Sequence, residues 1–201
     1  GMQRIDDNGK VIAEALQNDK NLIEAASIIG CPVYNCGVNE VEGKSFYENC
    51  EIAINYFRTL VDFAKDKGVK IAAYNCRWEN FVVEPNAWRV ILSAVPEMGI
   101  KYDPSHSIGD GGNYLKEILE FGDRIFHIHC KDVWWSDRPT KAGVFGGHLP
   151  FGHQDRYWDF RSIGRGKIQF EEIIRELNRI QYRGPLSIEW EDSGMDREHG
   201  A

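Results

Sequence analysis

The chain alternates amphipathic helices with short apolar strands, and a glycine follows several of the helices. The first repeat shows the pattern: apolar residues recur along 10–29, Gly30 stops the helix, and 31–36 form a short apolar strand. The predicted helices cover 10–29, 48–67, a segment that opens at Pro85, 114–121 and 171–180, and the predicted strands cover 31–36, 69–76, 100–103, 124–130 and 185–190. Such alternation, with strands apolar on both faces, predicts an α/β fold of βα units around a buried parallel sheet.

Composition narrows the class of protein. The 201 residues carry 24 Lys and Arg against 31 Asp and Glu, a formal net charge of −7, and 42% are hydrophobic, which is typical of a globular protein. The acidic balance argues against general nucleic-acid binding. The sequence contains neither an apolar run long enough to span a membrane nor the apolar start of a secretion signal. Five irregularly spaced cysteines without a CxxC pair indicate reduced thiols, so we expect a cytoplasmic protein.

Polar residues stand at or just beyond the carboxyl ends of the predicted strands. They are Asn35, Asn75, Asp103, His106, His129 and Glu189. In a βα barrel all the strand ends converge on one face, where the chemistry of such folds lies. A doubly wound sheet brings together only two or three of them at its switch point. Polar tips on five strands therefore favour the barrel.

Two segments in the middle of the chain supply candidate site residues. Asp103 and His106 are predicted as a metal ligand with a second ligand or a substrate contact, although an Asp before Pro-Ser also caps a turn. His129, near the end of the next strand, is a candidate ligand on its inner face. Lys131 and Asp132 follow at the rim, where the lysine could hold an oxyanion and the aspartate could orient the histidine.

The last strand ends in an acidic cluster. Glu189 follows four residues of predicted buried strand, where a lone carboxylate is costly without a cation. Glu191 and Asp192 are expected to be rim charges. Asp, His and Glu from three strands make a mixed oxygen and nitrogen site, which suits Mn²⁺, Mg²⁺, Co²⁺ or Zn²⁺.

A long segment separates the last two predicted strands. Residues 134–157 are predicted as a loop of the kind that forms lids, and their aromatic side chains either stack on a sugar or pack the loop down. Arg161 then precedes a tight loop with Gly164 and Gly166, and its guanidinium could donate to a substrate oxygen.

Taken together, the motifs resemble one family. In chain order they are Asp103-x-x-His106, His127-x-His129-x-Lys131-Asp132, Arg161-x-x-Gly164-x-Gly166 and Ile188-Glu189. This order resembles the xylose-isomerase-like TIM-barrel superfamily, and within it the proteins described as sugar phosphate isomerases/epimerases. The resemblance extends from about residue 20 to the end of the chain.

The resemblance implies a TIM-barrel fold and a divalent metal held by Asp103, His129 and Glu189. It implies that His106 is a substrate contact or an additional ligand, and that Arg161 contacts the substrate. Enzymes that the chain resembles abstract a proton next to a carbonyl whose oxygen the metal polarises. Glu189 matches one of the two glutamates that act in the epimerases.

One position departs from the family pattern. Alignment on residues 77–80 puts Ala73 where the family's first glutamate is expected. Asn75, two residues on, could supply a neutral oxygen to the metal or to the substrate, and Lys131 could act as a second acid or base. The loss of one carboxylate argues against two-base epimerisation and leaves one-base isomerisation, dehydration or no catalysis open.

The leading hypothesis is a metal-dependent isomerase or epimerase that acts on a small sugar, sugar phosphate or polyol. The alternative is a degenerate barrel that binds a carbohydrate without turning it over. An apurinic endonuclease is disfavoured by the acidic charge. Neither nucleic acid nor a membrane is an expected partner, and homo-oligomerisation stays open.

The length conflicts with a complete barrel. Eight βα units take roughly 250 residues, whereas the 201 residues contain five predicted strands. We therefore expect a single, partial TIM-barrel domain over residues 1–201. Three explanations stay open: a piece of a longer protein, a barrel that a partner chain closes, or an open variant of the fold.

Overall fold

The structure is a computed structural model, which describes residues 2–146 and 148–201. The chain divides into two compact units. Unit 1 contains the residues up to Tyr102 together with Asp123–His127, and unit 2 contains Asp103–Gly122 together with Ile128–Ala201. The expectation of one domain over residues 1–201 stays a prediction.

Unit 1 is built from three helix–strand pairs. Helices α1 (Ala13–Ile29), α2 (Phe46–Ala64) and α3 (Pro85–Ala94) alternate with strands β1 (Val33–Cys36), β2 (Lys70–Tyr74) and β3 (Gly99–Tyr102), and β4 (Ile125–Cys130) begins in this unit. Strands β1, β2 and β3 are parallel neighbours, and their register pairs Cys36 with Ala73 and Ala72 with Gly99. The predicted βα alternation is confirmed. The helix that opens at Pro85 ends at Ala94, and Gly99 is the first residue of β3.

Local sequence signals set the ends of these helices. Ser45 and Glu48 form a reciprocal capping box at the start of α2, in which Glu48 Oε2 accepts from the Ser45 amide at 2.8 Å. Glu84 caps α3 directly before Pro85, whose fixed φ suits the first helical position. Gly30 ends α1 with a φ of 73°, a left-handed conformation that glycine adopts without a Cβ clash.

The core of unit 1 is dense. Trp88 of α3 packs edge-on against Tyr102 of β3 with ring centroids 6.0 Å apart, and both residues are 1% exposed. The other large, fully buried side chains include Tyr56, Phe57, Leu60, Ile71, Ile91 and Ile100. Close packing of this kind holds the strands in register, because a shift of one residue moves apolar side chains out of the core.

Unit 2 contains elements that the sequence did not predict. Its helices are α4 (Pro104–Gly109), α5 (Tyr114–Phe121), α6 (Phe170–Arg179) and α7 (Arg197–Gly200), and its strands are the end of β4, β5 (Asp132–Trp135), β6 (Trp158–Arg161) and β7 (Leu186–Ile188). Strands β5 and β6 pair antiparallel as a separate two-stranded sheet within a segment whose first part was predicted as loop. Helices α4 and α7 are also additions to the predicted set.

The five strands predicted from the sequence are β1, β2, β3, β4 and β7, and they stand in this order in one sheet. In unit 2 the end of β4 runs parallel to β7, with His129 opposite Ser187. The expectation that every strand is buried on both faces is wrong for β7, because Leu186 and Ile188 are 47% and 57% exposed. Glu189 therefore follows a half-exposed strand and not a buried one.

None of the five cysteines, all of which lie in the described part of the chain, forms a disulfide bond. Within residues 2–146 and 148–201, no helix combines the length and the apolar character that a membrane crossing requires.

Candidate metal centre

Asp103 is fully buried and lies directly before helix α4. Its Oδ1 accepts hydrogen bonds from the amide (2.9 Å) and the hydroxyl (2.6 Å) of Ser105, so this oxygen caps the helix that Pro104 opens. Its Oδ2 lies 3.5 Å from Lys131 Nζ and 3.7 Å from His106 Nε2. The carboxylate thus caps the helix with one oxygen and faces the other candidate site residues with the second.

His129 and Glu189 lie side by side at the ends of β4 and β7. The Glu189 amide continues the strand pairing by donating to the Cys130 carbonyl at 3.1 Å. His129 Nδ1 and Glu189 Oε2 are then 2.9 Å apart, and since a carboxylate only accepts, Nδ1 carries the hydrogen. The hydrogen bond from His129 has the largest influence on the pKa of Glu189. Burial raises this pKa, but the hydrogen bond and the Lys131 ammonium together outweigh burial and hold the pKa well below its ordinary value. Glu189 is therefore ionised at neutral pH.

Lys131 brings a buried ammonium to the same place. Its side chain is 3% exposed, and Nζ lies 2.6 Å from Glu191 Oε2, 2.9 Å from Glu189 Oε2 and 3.5 Å from Asp103 Oδ2. Burial disfavours the charged form, but the charge of Asp103 and the hydrogen bonds to Glu191 and Glu189 outweigh it, so the pKa of Lys131 lies above its ordinary value. Lys131 is an ammonium at neutral pH, which suits an oxyanion-binding role better than that of a base.

The residues present fit a divalent metal. One candidate ligand atom from each of Asp103, His129 and Glu189 lies within 4.8 Å of the others. His129 Nδ1, 2.9 Å from Glu189 Oε2, would bind such an ion in place of the hydrogen that it donates to this carboxylate. Two carboxylates and an imidazole suit the ions predicted from the sequence. The Lys131 ammonium already lies within 4 Å of both carboxylates, so the position attracts positive charge.

His106 and Phe160 lie beside this group. His106 is 8% exposed, and its ring meets the Phe160 ring edge-on with centroids 5.8 Å apart. Phe160, in β6, is 3% exposed and carries the Lys131 ammonium 4.2 Å from its ring centroid, a cation–π contact. The structure thus brings His106 close to Asp103 and Phe160, while its role towards a metal or a substrate stays a prediction.

The sequence indicated that Asp132 could orient His129. In the structure, Asp132 instead holds a loop. It is fully buried, its Oδ1 accepts from the amides of Val133 (2.8 Å) and Ile168 (3.0 Å), and its Oδ2 accepts from those of Gly164 (3.0 Å) and Gly166 (2.9 Å). Four backbone donors on one carboxylate fix the connection between β6 and α6.

Asp192 is not the rim charge that the sequence predicted. It is 2% exposed, and its carboxylate accepts from the amides of Ser162 (2.9 Å) and Gly194 (3.0 Å). Burial opposes ionisation, but these hydrogen bonds outweigh it and lower the pKa of Asp192 below its ordinary value. Glu191 does lie at the rim, with its side chain 44% exposed. No sequence signal distinguished the two neighbours.

The loop between β5 and β6 is held down from within. Asp159 is 2% exposed, and its Oδ2 accepts from the Gly152 amide at 2.6 Å and lies 3.9 Å from Arg156 Nε. The Arg156 guanidinium lies 4.4 Å from the centroid of the Phe151 ring, which stacks on Phe160 at 5.6 Å. Of the two roles predicted for the loop aromatics, Phe151 therefore packs the loop down. The lid function stays a prediction.

A family model described as xylose isomerase-like TIM barrel matches residues 5–201. The chain belongs to this family. The resemblance read from the four motifs and the TIM-barrel fold class are thereby confirmed.

Curated relatives from the same family include sugar-modifying enzymes. The protein YfiH of Bacillus subtilis is 31% identical over 160 residues, which cover 77% of this chain and 50% of that protein. An inosose dehydratase of Clostridium botulinum is 29% identical over 147 residues, 72% of this chain and 48% of that one. An L-ribulose 3-epimerase of a Methylomonas species is 23% identical over 164 residues, 79% and 48% of the two chains. The chain thus spans about half the length of these relatives.

Solved structures share the fold. A xylose isomerase domain protein from Planctomyces limnophilus has a TM-score of 0.68 at 23% identity, over 89% of this chain and 59% of that one. The IolI protein, solved with a zinc atom, has a TM-score of 0.65 at 22% identity, over 90% and 61% of the two chains. At these identities the likeness establishes the family fold alone.

Two positions that the family pattern singles out lie in unit 1. Ala73, where the family's first glutamate was expected, is 1% exposed within β2. Asn75 is fully buried directly after that strand. The roles of Asn75 as a ligand or a substrate contact stay predictions.

Arg161 ends β6 in unit 2. Among the described residues its polar partners are the Phe160 carbonyl, to which Nη1 donates at 2.7 Å, and Asp159, whose Oδ2 lies 3.7 Å away. Its guanidinium also lies 5.4 Å from the Trp134 ring centroid. The structure does not bring Arg161 into contact with the candidate ligands, and its role as a substrate contact stays a prediction.

Proposed function

We propose that this protein is a divalent-metal-dependent enzyme that moves a proton next to a carbonyl of a small sugar, sugar phosphate or polyol, as an isomerase or epimerase. The observation that carries the proposal is the convergence of Asp103, His129 and Glu189 within 4.8 Å. Relatives named for the conversion of inosose and of L-ribulose support the substrate class. The zinc atom in the structure of IolI supports the metal.

Each residue of the centre has a proposed task. A metal held by Asp103, His129 and Glu189 would supply a Lewis acid that polarises the substrate carbonyl. Glu189 is the proposed base: its carboxylate is ionised at neutral pH and accepts the proton from the carbon next to the carbonyl. Because the Lys131 ammonium, 2.9 Å away, makes it a weak base, this hydrogen bond must loosen as the proton arrives.

The cationic and polar neighbours bind the substrate. The Lys131 ammonium is proposed to stabilise the negative charge that develops on the substrate oxygen, and its burial strengthens this effect because little water screens it. His106 is proposed to hold a substrate hydroxyl through a ring nitrogen. Arg161 and Asn75 are proposed as further substrate contacts. A cytoplasmic location and homo-oligomerisation stay predictions.

Ala73 favours a reaction that needs one base. Two-base epimerisation uses a second proton acceptor, and the methyl group of Ala73 cannot accept a proton. Dehydration is therefore the second candidate reaction, which the inosose dehydratase relative supports. Carbohydrate binding without turnover is the alternative outside enzyme chemistry.

Metal analysis tests the proposal first. Isothermal titration with Mn²⁺, Co²⁺ and Zn²⁺, checked by elemental analysis, is expected to give one ion for each chain. Asp103→Ala and Glu189→Ala are expected to weaken binding by more than about 100-fold, the upper range for loss of an outer-shell partner. Glu198→Gln, at an exposed position of α7, is the control. Folded protein that takes up none of these ions contradicts the proposal.

Proton exchange tests the reaction. Ketoses and inososes incubated with the metal-loaded protein in D₂O are expected to gain deuterium next to the carbonyl, as read by NMR, and Glu189→Ala should abolish the exchange. Exchange that appears only in Ala73→Glu would support carbohydrate binding as the function of the unchanged chain.

A further inference from the structure

The Lys131 ammonium contacts three carboxylates, and only two of them belong to the candidate metal ligands. Glu189 and Asp103 are the two, at 2.9 Å and 3.5 Å from Nζ. The third is Glu191, whose Oε2 gives the shortest of the three distances, 2.6 Å. Glu191 follows Glu189 by two residues, as Lys131 follows His129, and each of the contacts His129–Glu189 and Lys131–Glu191 joins residues 60 apart in the chain.

Carboxylates outnumber the ammonium in this group. Those of Asp103, Glu189 and Glu191 face one ammonium and exceed it by two formal negative charges. A divalent cation would match that excess. Without Glu191, the three positive charges of a divalent metal and the ammonium would exceed the two negative charges of the ligand carboxylates. The two cations would then repel each other in a buried site where little water screens them.

With Glu189 and Asp103 bound to a metal, the ammonium would need another partner. Lys131 cannot remain buried without one, because its side chain is 3% exposed and an unpaired buried charge is costly. Glu191 supplies a charge-assisted hydrogen bond that does not use a ligand oxygen. The Phe160 ring, 4.2 Å from Nζ, supports the ammonium from another side.

We propose that Glu191 is a positioning residue, which holds the Lys131 ammonium beside the metal centre so that a divalent cation and the ammonium occupy it together. This inference rests on the proposed function, because it requires that the centre binds a metal. Its consequence is that Glu191 acts on metal affinity through Lys131. With a neutral side chain substituted at position 191, Lys131 would compete with the metal for Glu189.

A double-mutant cycle with Mn²⁺ tests this coupling, with the dissociation constant measured by isothermal titration. Glu191→Gln is expected to raise the dissociation constant about tenfold, which corresponds to the loss of one charge-assisted hydrogen bond. In a Lys131→Met background the same change is expected to raise it by less than about twofold, the limit for uncoupled sites. Lys131→Gln serves as a second background if Lys131→Met does not fold, and Glu198→Gln is the control.

The outcomes separate the two proposals. Wild-type protein that binds no Mn²⁺ overturns the proposed function and this inference with it. Wild-type protein that binds Mn²⁺, with Glu191→Gln weakening it equally in both backgrounds, overturns only the inference, because Glu191 would then attract or ligate the metal directly. A dissociation constant unchanged in Glu191→Gln overturns it as well.

Discussion

The amide of Gly166 donates a 2.9 Å hydrogen bond to the buried carboxylate of Asp132. A Cβ at position 166 would overlap this carboxylate and the Val133 carbonyl. Gly164 donates to the same oxygen of Asp132 at 3.0 Å, with a φ of 79°, but a Cβ there would meet nothing within 4 Å. The two glycines of the predicted tight loop therefore serve different needs: close approach at Gly166 and a left-handed backbone at Gly164.

Replacing these glycines should separate the two needs. Gly166→Ala is expected to lower the free energy of unfolding by about 2–4 kcal/mol, because a buried carboxylate must move and lose an amide partner. Gly164→Ala should cost about 1–2 kcal/mol, the strain of an alanine in the left-handed region. Urea denaturation followed by circular dichroism measures both. Equal losses in the two variants would contradict a steric role for position 166.

A second prediction concerns the buried ion pair of unit 1. Asp19 is fully buried and accepts hydrogen bonds from Arg4 Nε (2.7 Å), Arg4 Nη2 (2.9 Å), Tyr34 (2.8 Å) and Tyr56 (2.7 Å). Asp19→Ala should destabilise the protein by about 3–5 kcal/mol, because it leaves the Arg4 charge buried and unpaired. Tyr34→Phe should cost about 1 kcal/mol, one hydrogen bond.

The matched control for that network is an ion pair at the surface. Lys67 Nζ lies 3.7 Å from Glu24 Oε1, with side chains 29% and 55% exposed. Glu24→Ala is expected to change the free energy of unfolding by no more than about 1 kcal/mol. Urea denaturation of the variants at one pH makes the comparison. If Asp19→Ala falls within the range of this control, the network does not stabilise unit 1.

A third prediction concerns pH. The pKa of Asp192 is lowered from 3.8, so its ionised form is favoured by folding. This contribution is present above about 3.8 and is lost as the pH falls through the lower folded value. Asp192→Asn should therefore be less stable than the wild type at pH 7, by about 1–3 kcal/mol, and the gap should narrow towards pH 3.

Urea midpoints of the wild type and Asp192→Asn at several pH values from 7 to about 3 test this sign. Asp7→Asn, at an exposed position near the start of the chain, is the control and should stay within about 0.5 kcal/mol of the wild type. A gap that widens on acidification would mean that the Asp192 carboxylate is not held ionised by the amides of Ser162 and Gly194.

Much of the fold follows from local patterns. Helix α1 lies where apolar periodicity and a following glycine predicted it, and α5 spans the predicted residues 114–121. The five strands of the parallel sheet were all predicted. These signals are local, because the spacing of apolar residues that identifies a helix or a strand lies within that element. The β5–β6 sheet has no such local signal. Trp134 pairs with Asp159 across a long loop, so the pairing depends on a residue that is distant in the sequence.

The candidate site was predicted as a set of residue types and not as a set of contacts. Asp103, His129 and Glu189 were predicted to converge because polar residues end parallel strands, and their candidate ligand atoms do lie within 4.8 Å. Glu189 was predicted to follow a buried strand, but β7 is half exposed. The sequence assigned Asp132 and Asp192 to the rim or the site, because the identity of an acidic residue does not indicate which backbone amides will contact its carboxylate.

By itself, the sequence determined the order of the helices and strands. It also determined which polar residues stand at the strand ends, because both features depend on the spacing of apolar residues over short stretches of chain. Only the tertiary structure decided that the Lys131 ammonium lies between Glu189 and Glu191, and that Asp132 and Asp192 are buried acceptors. The reason is physical: ion pairs and burial join segments that meet only after folding, and Lys131 and Glu191 are 60 residues apart in the chain.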